Sequence, residues 1–243
     1  MATQHGGQFY GQDGFTSAFD RKESIIGFKE YTELYTKHKF PQSGPGFEPF
    51  KRGEWLMDID GYWLLSNLQA AAPELQGKWE PGLIPGVKRA TGEVNHGTFT
   101  GSTAFAIPKT AKDPQASWQF IKWFCNEKTQ QQYVEQVMRD IKGFMQVPTA
   151  KQALANLQSL SPAIRATLYK QINESYAVPY APTSGVLIRF VQFALHEVLL
   201  NKRTPEEAAL NAASEMNKEM SRRKIEYQRY LSKLTKEGRK YND

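Results

Sequence analysis

Two carboxylates and two aromatic side chains flank a single glycine, and their types and spacing are the first candidates for chemistry. Asp58 and Asp60 precede Gly61, and Tyr62 and Trp63 follow it. Aromatic rings stack on the C–H faces of sugars, whose hydroxyl groups need hydrogen bonds from backbone amides and polar side chains. Two carboxylates at a strand end offer oxygen ligands to a divalent cation. The stretch therefore supports two hypotheses, a carbohydrate-stacking site and a metal site.

Each hypothesis has a plainer alternative. Asp58 and Asp60 lack the further oxygen ligands and the closing glutamate of a calcium loop, which favours solvated acids over a metal site. Tyr62 and Trp63 are as compatible with a hydrophobic core as with a binding site, because large aromatic residues are highly buried on average. The composition alone does not decide between these two roles for the aromatic pair.

A second glycine-containing stretch, residues 97–102, has superficial features of a phosphate-binding loop. It has three residues between its glycines and lacks the lysine of that loop, which argues against nucleotide binding. Gly101 and Ser102 either begin a strand or leave room for a ligand beside the backbone. The four histidines lie far apart, and no serine, cysteine or lysine has the sequence context of an activated nucleophile. We therefore predict no catalytic residue, no metal site, no cofactor and no enzyme activity.

Length and composition set the class of protein. With 243 residues, the chain is long enough for one large domain or two lobes, and its 40% apolar content supports a core. No apolar run reaches the ~18 residues of a membrane span, which argues against an integral membrane protein. The single cysteine, Cys125, cannot form an internal disulfide. Residues 1–7 lack the basic and apolar regions of a secretory signal peptide.

Positive charge is concentrated in residues 216–243. They contribute +5 of the formal net charge of +6. Their basic residues alternate with apolar residues at helical spacing, which favours the solvated face of an amphipathic helix. Binding of phosphate by this segment, as in a basic scaffold or a nucleic-acid-binding protein, is the alternative. We expect no nucleic-acid partner.

Hydrophobic alternation predicts three short strands, of which the third is buried. They cover residues 54–60, 79–85 and 103–107. A loop is predicted over residues 88–100. A helix begins at Tyr62, directly after the first strand, so that aromatic rings project from its first turn.

Apolar residues at helical spacing predict a series of helices along the rest of the chain. They cover residues 20–38, 128–139, 148–157, 161–174, 184–201 and 204–234. Asp20 is the expected N-cap of the first helix, and residues 204–207 (TPEE) supply the cap and first turn of the last. Asp113 and Pro114 begin a further helix that is apolar on more than one face, and we expect this helix to lie in the core.

Six short segments follow one another along most of the chain in an order found in a known family. They are residues 6–10 (GGQFY), 50–63 (FKRGEWLMDIDGYW), 83–86 (LIPG), 101–107 (GSTAFAI), 116–124 (ASWQFIKWF) and 204–210 (TPEEAAL). This order resembles the second half of the extracytoplasmic solute-binding proteins of bacterial ABC sugar importers, the group that includes maltose-binding protein. Each segment alone is a weak signal, but six in order are fairly specific.

The resemblance implies an α/β, helix-rich, two-lobed fold of the periplasmic-binding-protein type (type II), from which the family's N-terminal half is missing. Hinge strands join lobes that close over a ligand. On this pattern residues 1–98 and 175–243 belong to the second lobe, and the latter part carries the long basic C-terminal helix. Residues 99–174 belong to the first lobe. The chain crosses between lobes near residues 97–101 and 178–182.

By position, the resemblance assigns four residues to ligand binding. Trp63 matches the aromatic residue that stacks on sugar in the family, and Tyr62 lies beside it. Gly101 and Ser102 lie where the backbone contacts the ligand.

The resemblance assigns a further cleft-lining stretch to the helix start between Ser184 and Arg189. The family's usual aromatic residue near this point is Ile188 here. Arg189 then has two interpretations. If it faces inward it favours an acidic or phosphorylated sugar, and otherwise it pairs with a surface acid, which we favour.

The function that the resemblance implies is non-enzymatic capture of a sugar or oligosaccharide for an ABC-type import system. The expected partners are that ligand and the permease subunits, together with a second copy of the chain or a complementing N-terminal half. The expected location is extracytoplasmic, in the periplasm or at the cell surface. Two alternatives stand beside it: a metal-dependent sugar-nucleotide enzyme that uses Asp58 and Asp60, and a basic scaffold or nucleic-acid-binding protein that uses residues 216–243.

Overall fold

The computed structural model describes residues 1–42, 46–101, 103–177 and 182–236. Residues 235 and 236 are described by their backbone alone. Ser102 and residues 178–181, which include most of the second predicted crossing, lie outside this set. The described elements, in chain order, are α1 (Lys22–Thr36), α2 (Phe47–Lys51), α3 (Trp63–Ala71), β1 (Val87–Lys88), β2 (Val94–Asn95), β3 (Phe99–Thr100), α4 (Pro114–Phe124), α5 (Glu127–Asp140), α6 (Lys151–Ala155), α7 (Pro162–Glu174), β4 (Tyr176–Ala177), α8 (Ser184–Leu199) and α9 (Pro205–Lys236). Single 3₁₀ turns cover Ala2–His5 and Pro73–Leu75. In this part of the chain no helix is both long and apolar enough to cross a membrane.

The chain divides into two compact units. Unit 1 comprises Met1–Gln42, Gly86–Thr98 and Ala177–Asp243, and unit 2 comprises Ser43–Pro85 and Phe99–Tyr176. In the lobes that the resemblance implies, the boundaries lie at residues 98/99 and 174/175, and residues 1–98 stay together. The boundaries between the two units include 98/99 and 176/177, and residues 43–85 are separated from residues 1–42. The assignment of these units to lobes stays a prediction.

Unit 1 is built on the packing of α9 against α8 and α1. Small side chains let helices approach closely, and four alanines of α9 are buried in this core together with two methionines. They are Ala208, Ala209, Ala212, Ala213, Met216 and Met220. Phe19 and Phe28 close the core with an edge-to-face contact at 5.1 Å between ring centroids.

Two long-range hydrogen bonds join the N-terminal loop to the C-terminal helices within unit 1. The backbone N–H of Ser17 donates to Oδ1 of Asn217 (2.7 Å), and the buried hydroxyl of Thr183 donates to the carbonyl oxygen of Gly14 (2.8 Å). Buried polar groups are stable when they are hydrogen-bonded. These bonds therefore fix the residues that precede α1 against α8 and α9.

The start of α9 confirms the predicted cap. The N–H of Thr204 donates to the carboxylate of Glu207 (2.9 Å), and the N–H of Glu207 donates to the Thr204 hydroxyl oxygen (3.2 Å), which is a capping box. The bond from the Thr204 backbone lowers the pKa of Glu207. The cap predicted for the first helix is wrong, because α1 begins one residue later than expected, with Arg21 instead of Asp20 at the N-cap.

A β-hairpin occupies part of the region predicted to be a loop. Strands β1 and β2 pair antiparallel, with Val87 opposite Asn95 and Lys88 opposite Val94. Gly92 adopts a φ of 90°, a left-handed conformation that glycine takes without strain, and so completes the turn. The prediction of a loop over residues 88–100 is therefore wrong for this hairpin and for the short strand β3, which pairs with β4.

Unit 2 has a smaller core, formed by α3, α5, α6 and α7. Its buried residues are Leu65, Val134, Met145, Leu154, Leu157 and Leu160. Buried Gln130 joins α5 to the segment before α6, since its Oε1 accepts hydrogen bonds from Ala150 N–H (3.0 Å) and the Thr149 hydroxyl (3.1 Å). The helices predicted at 128–139, 148–157 and 161–174 are confirmed with small shifts at their ends.

The predicted strands and the predicted core helix of unit 2 are wrong. Residues 54–60, 79–85 and 103–107 form no strand. Asp113 caps α4 as predicted, accepting from Ala116 N–H at 2.8 Å, but α4 has no buried residue. A strand needs a neighbouring strand and an apolar helix needs a covering surface. Most apolar side chains of residues 54–60 and 103–107 are exposed, whereas Trp79 packs against the core of unit 2 without forming a strand.

Candidate functional site

Tyr62 and Trp63 form an exposed pair of rings at the start of α3, which we call the aromatic platform. Tyr62 is the N-cap and Trp63 the first helical residue, as the sequence predicts. Their side chains are 46% and 57% exposed, so the alternative of a buried aromatic pair is wrong. The ring centroids lie 6.1 Å apart with planes tilted by 58°. The two rings therefore present differently oriented apolar faces to solvent.

Gly61 determines where the indole of Trp63 lies. A Cβ atom built at Gly61 would overlap the Cη2, Cζ3 and Cε3 atoms of the indole. The ring therefore lies against the backbone of residue 61, in the space that any other side chain would occupy. The N–H of Gly61 donates to Oδ1 of Asp60 (2.7 Å), which holds the turn before the helix.

The helix that carries the platform, α3, is packed against the core of unit 2. Leu65 and Leu68, two and five residues after Trp63, are buried, and Leu65 belongs to the core of unit 2. Between them, the hydroxyl of Ser66 donates to the carbonyl oxygen of Met145 (2.7 Å) and accepts from its N–H (3.0 Å). Side chains on a well-supported helix keep a defined orientation, which is what stacking on a ligand requires.

The two carboxylates before the platform have different surroundings. Oδ2 of Asp58 is buried without a hydrogen-bond partner, and Oδ1 of Asp60 is taken by the Gly61 N–H. Over the described ranges, no group of three or more His, Cys, Asp or Glu side chains could hold a metal ion. The strand end that was expected to align the two acids is also absent.

Gly101 lies in unit 2 with the platform. It is exposed, and a Cβ atom there would meet no atom within 4 Å, so its backbone is open to approach. Ser102, the residue predicted to act with it, lies outside the described residues. No hydrogen bond or ring contact between described atoms joins Gly101 to Tyr62 or Trp63.

The remaining predicted site residues, Ser184 and Arg189, belong to unit 1. Ser184 is the first residue of α8 and is half-buried. Arg189 lies one turn later, half-exposed, with its guanidinium 5.0 Å from the Phe190 ring centroid and 3.7 Å from the carboxylate of Glu219. This ion pair is the surface-acid partnership that the sequence favoured for Arg189.

Glu219 forms ion pairs with two basic side chains of α9. Arg222 approaches its carboxylate at 2.7 Å and Arg223 at 3.2 Å. The hydrogen bond from Arg222 is the main cause that lowers the pKa of Glu219 to about 2. Farther along, Lys224 pairs with Asp13 (3.2 Å). Part of the positive charge of residues 216–243 is therefore paired within unit 1, as expected of a solvated helix face.

One concave region was not predicted from the sequence. A groove of about 410 Å³ lies between α8 and α9 and is lined by the rings of Phe190 and Phe193 and by polar side chains such as His196 and Asn211. The spacing of the two phenylalanines on one helix face is a signal that could have pointed to it. Nothing in the described structure relates this groove to the aromatic platform.

Comparison with protein families gives one match. The model of the family described as bacterial extracellular solute-binding protein matches residues 1–156, which is more than half of the chain. A comparison with curated proteins finds no match.

Solved structures with a similar fold carry sugars. An ABC transporter solute-binding protein from Thermotoga lettingae bound with α-D-tagatose has a TM-score of 0.65 at 22% identity over 90% of this chain and 54% of its own. A cyclo/maltodextrin-binding protein complexed with maltotetraose has a TM-score of 0.69 at 20% identity over 90% and 55%. The maltose-binding periplasmic protein from Listeria monocytogenes in complex with maltose has a TM-score of 0.68 at 14% identity over 91% and 56%. The predicted fold class is confirmed, and the chain spans about half the length of these structures.

Proposed function

Because this chain belongs to the family of bacterial extracellular solute-binding proteins, we propose that it is the carbohydrate-binding part of an ABC-type import system. It captures a sugar or oligosaccharide by stacking and hydrogen bonding and does not transform it. The description of the family, bacterial extracellular solute-binding protein, supports capture of a solute.

The observation that carries this proposal is the aromatic platform. The indole of Trp63 and the phenol of Tyr62 are exposed side by side, on a helix that the hydrogen bonds of Ser66 join to Met145. Sugar rings present C–H faces of the size of one aromatic ring, and the tilt of 58° between Tyr62 and Trp63 lets the two rings contact different faces of one oligosaccharide. The three structural neighbours described above, each complexed with a sugar, support the same class of ligand.

Four further residues belong to the proposed site on the strength of the resemblance. The open backbone at Gly101 and the hydroxyl of Ser102 supply hydrogen bonds to sugar hydroxyl groups. Ser184, at the start of α8, supplies another. Arg189 lies one turn beyond and sets the preference for charge, because Glu219 already neutralises it in part and a neutral sugar is then favoured.

The proposed partners are the permease subunits of the transporter, and the proposed location is outside the cytoplasm, in the periplasm or at the cell surface. The family description supports an extracellular place. The transporter and the lobe assignment follow from the resemblance.

The experiment that tests the function is calorimetry with a panel of sugars. Maltose, maltotetraose and tagatose are each titrated into the protein with and without Mn²⁺. We expect at least one of these sugars to bind with the same affinity in both conditions. Binding of a sugar nucleotide only in the presence of Mn²⁺ would favour the enzyme that uses Asp58 and Asp60. The absence of heat with every sugar would contradict the proposal.

Substitution of the platform identifies the site. We expect Trp63→Ala to weaken sugar binding by about 1–3 kcal/mol, or roughly 5- to 160-fold, because a stacking surface is removed. Trp118→Ala is the matched control, since Trp118 is a tryptophan of similar exposure in the same unit and should leave the affinity unchanged. Equal affinities for Trp63→Ala and the native chain would remove the platform from the site.

A further inference from the structure

The indole of Trp63 lies with one of its faces on the backbone of Gly61. A Cβ atom built at Gly61 is nearly equidistant from three consecutive atoms of the six-membered indole ring, Cε3, Cζ3 and Cη2. A point beyond the edge of the ring would lie markedly closer to one or two of these atoms than to the third. The built atom is therefore above the ring, and the indole covers residue 61 face-on.

Only the opposite face of the indole is available to a ligand. The Trp63 side chain is 57% exposed although one of its faces lies on the backbone, so most of its accessible surface belongs to the other face. The ring of Tyr62 does not stack on that face, because the two planes are tilted by 58°. A sugar can therefore stack on this indole from one side only.

The backbone beneath the indole is fixed on both sides of Gly61. Its N–H donates to Oδ1 of Asp60 (2.7 Å), and its carbonyl oxygen accepts from the N–H of Leu64 (3.0 Å) at the start of α3. Both backbone polar groups of residue 61 are therefore hydrogen-bonded within the protein. The surface on which the indole lies has an orientation that the start of the helix determines.

The backbone conformation does not itself require glycine at position 61. Gly61 is not among the glycines with positive φ, so alanine can adopt the same conformation without strain. Outside the adjoining residues, the three atoms nearest to the built Cβ all belong to the indole of Trp63. Because an indole can rotate to another rotamer, a methyl group at residue 61 should displace the ring and leave the fold intact.

We propose that Gly61 is a positioning residue of the sugar site. It holds the Trp63 indole with one face on the backbone and the other face toward the ligand. This inference rests on the proposed function, since it gives Gly61 a role in binding the sugar that the platform captures. Gly61 acts through the indole, and any larger residue at this position would turn the stacking face away.

The position of the indole can be measured without sugar, by fluorine NMR of the complete chain labelled with 5-fluorotryptophan. The chain has five tryptophans, and the resonance of Trp63 is the one that Trp63→Phe removes. We expect Gly61→Ala to shift this resonance and to leave the other four in place. Gly82→Ala is the matched control, because Gly82 belongs to the same unit, has no positive φ and has open space at its Cβ position. It should shift none of the five.

Sugar affinity gives the functional readout. We expect Gly61→Ala to weaken binding of the sugar that the native chain binds by roughly fivefold or more in calorimetry, because the displaced ring no longer offers its stacking face. The double variant Gly61→Ala/Trp63→Ala should bind as weakly as Trp63→Ala alone, since residue 61 acts only through the indole. Gly82→Ala should keep the native affinity.

The double variant also covers the case in which Gly61→Ala affects folding. If Gly61→Ala lowers the midpoint of urea denaturation, the double variant should restore it toward that of Trp63→Ala, because the overlapping ring has been removed. Failure to restore the midpoint would show that a side chain at residue 61 disturbs the backbone and not the indole, which would overturn the proposal.

Three further results would overturn it. The first is a Trp63 resonance that Gly61→Ala leaves in place, and the second is a shifted resonance with native sugar affinity. The third is an additive loss of affinity in the double variant, which would mean that residue 61 meets the ligand directly. If the native chain binds no sugar, the proposed function fails, whereas the fluorine spectra still decide whether Gly61 holds the indole.

Discussion

Units 1 and 2 have similar lengths but use their apolar residues in opposite ways. Among the described residues of unit 1, thirteen buried side chains form one core, built largely from the alanines and methionines of α9. In unit 2 six buried side chains form the core, while the large rings of α4 and the apolar residues of 54–60 are exposed. Apolar composition therefore predicts burial only where the chain itself supplies the covering surface.

The difference also separates two kinds of exposed aromatic residue. The aromatic platform stands at the end of a helix that is otherwise packed in the core, so its exposure is local. The exposed rings of Trp118, Phe120 and Trp123 lie on α4, a helix without any buried residue. The exposure of the platform is confined to the start of its helix, whereas the exposure of the α4 rings extends along the helix.

Two methionines give the largest expected contrast between the units. Met216 of unit 1 is 0% exposed, and Met57 of unit 2 is 69% exposed. We expect Met216→Ala to lower the free energy of unfolding by about 2–5 kcal/mol, since it leaves a cavity between helices. Met57→Ala should change it by less than about 0.5 kcal/mol. Urea denaturation followed by circular dichroism measures both, and a similar loss in both variants would contradict the contrast.

A pair of leucines tests whether unit 2 has a core of its own. Leu157 is fully buried and Leu56 is 95% exposed, although both belong to unit 2. We expect Leu157→Ala to lower the free energy of unfolding by about 2–3 kcal/mol, toward the lower end of the usual range, because a small core collapses around a cavity more easily. Leu56→Ala is the matched control and should have no measurable effect on urea denaturation. Destabilisation by both would mean that residues 54–60 are covered in solution.

The capping box of α9 contributes a smaller part of the stability of unit 1. Thr204→Ala removes the hydroxyl group that accepts from Glu207 N–H. We expect the free energy of unfolding to fall by about 1 kcal/mol. Thr204→Ser keeps the oxygen atom and should restore most of that loss in the same denaturation experiment. If serine fails to restore stability, the methyl group and not the hydrogen bond matters at this position.

The smallest expected effect is electrostatic and depends on pH. Arg222 lowers the pKa of Glu219 to about 2, below its ordinary value of 4.5, so the ionised carboxylate stabilises the folded chain above about pH 4.5. This stabilisation is lost as the pH falls toward 2. We expect Glu219→Gln to lower Tm by only about 1–2 °C at pH 7, because solvent screens the ion pair. Near pH 2 the substitution should leave Tm unchanged. A difference that persists at pH 2 would require another cause.

The helices could be predicted from the sequence because their signals are local. Asp113 before α4 and Thr204 before α9 form their caps within one turn, and each requires no distant partner. The strands could not be predicted in the same way. The alternation of Trp55, Met57 and Ile59 describes one face of a strand, but a strand exists only when another strand pairs with it.

The candidate site was partly accessible from the sequence. The position of Tyr62 and Trp63 at the first turn of α3 follows from the glycine before them and the apolar period after them. The contact of the Trp63 indole with the backbone of Gly61 could not be predicted, because it depends on side-chain geometry that the spacing of residues in the sequence does not determine. The groove between α8 and α9 likewise depends on how two distant helices pack.

The hydrogen bond between Ser17 and Asn217 has a consequence for synthesis on the ribosome. It joins residues 200 positions apart, so unit 1 cannot close until α9 has been translated. The sequence of unit 2 ends at Tyr176, well before that point. At the usual elongation rate the stretch after Tyr176 takes roughly 3–13 s. For those seconds unit 2 is fully translated while unit 1 still lacks all or part of the helices α8 and α9, which supply most of its core.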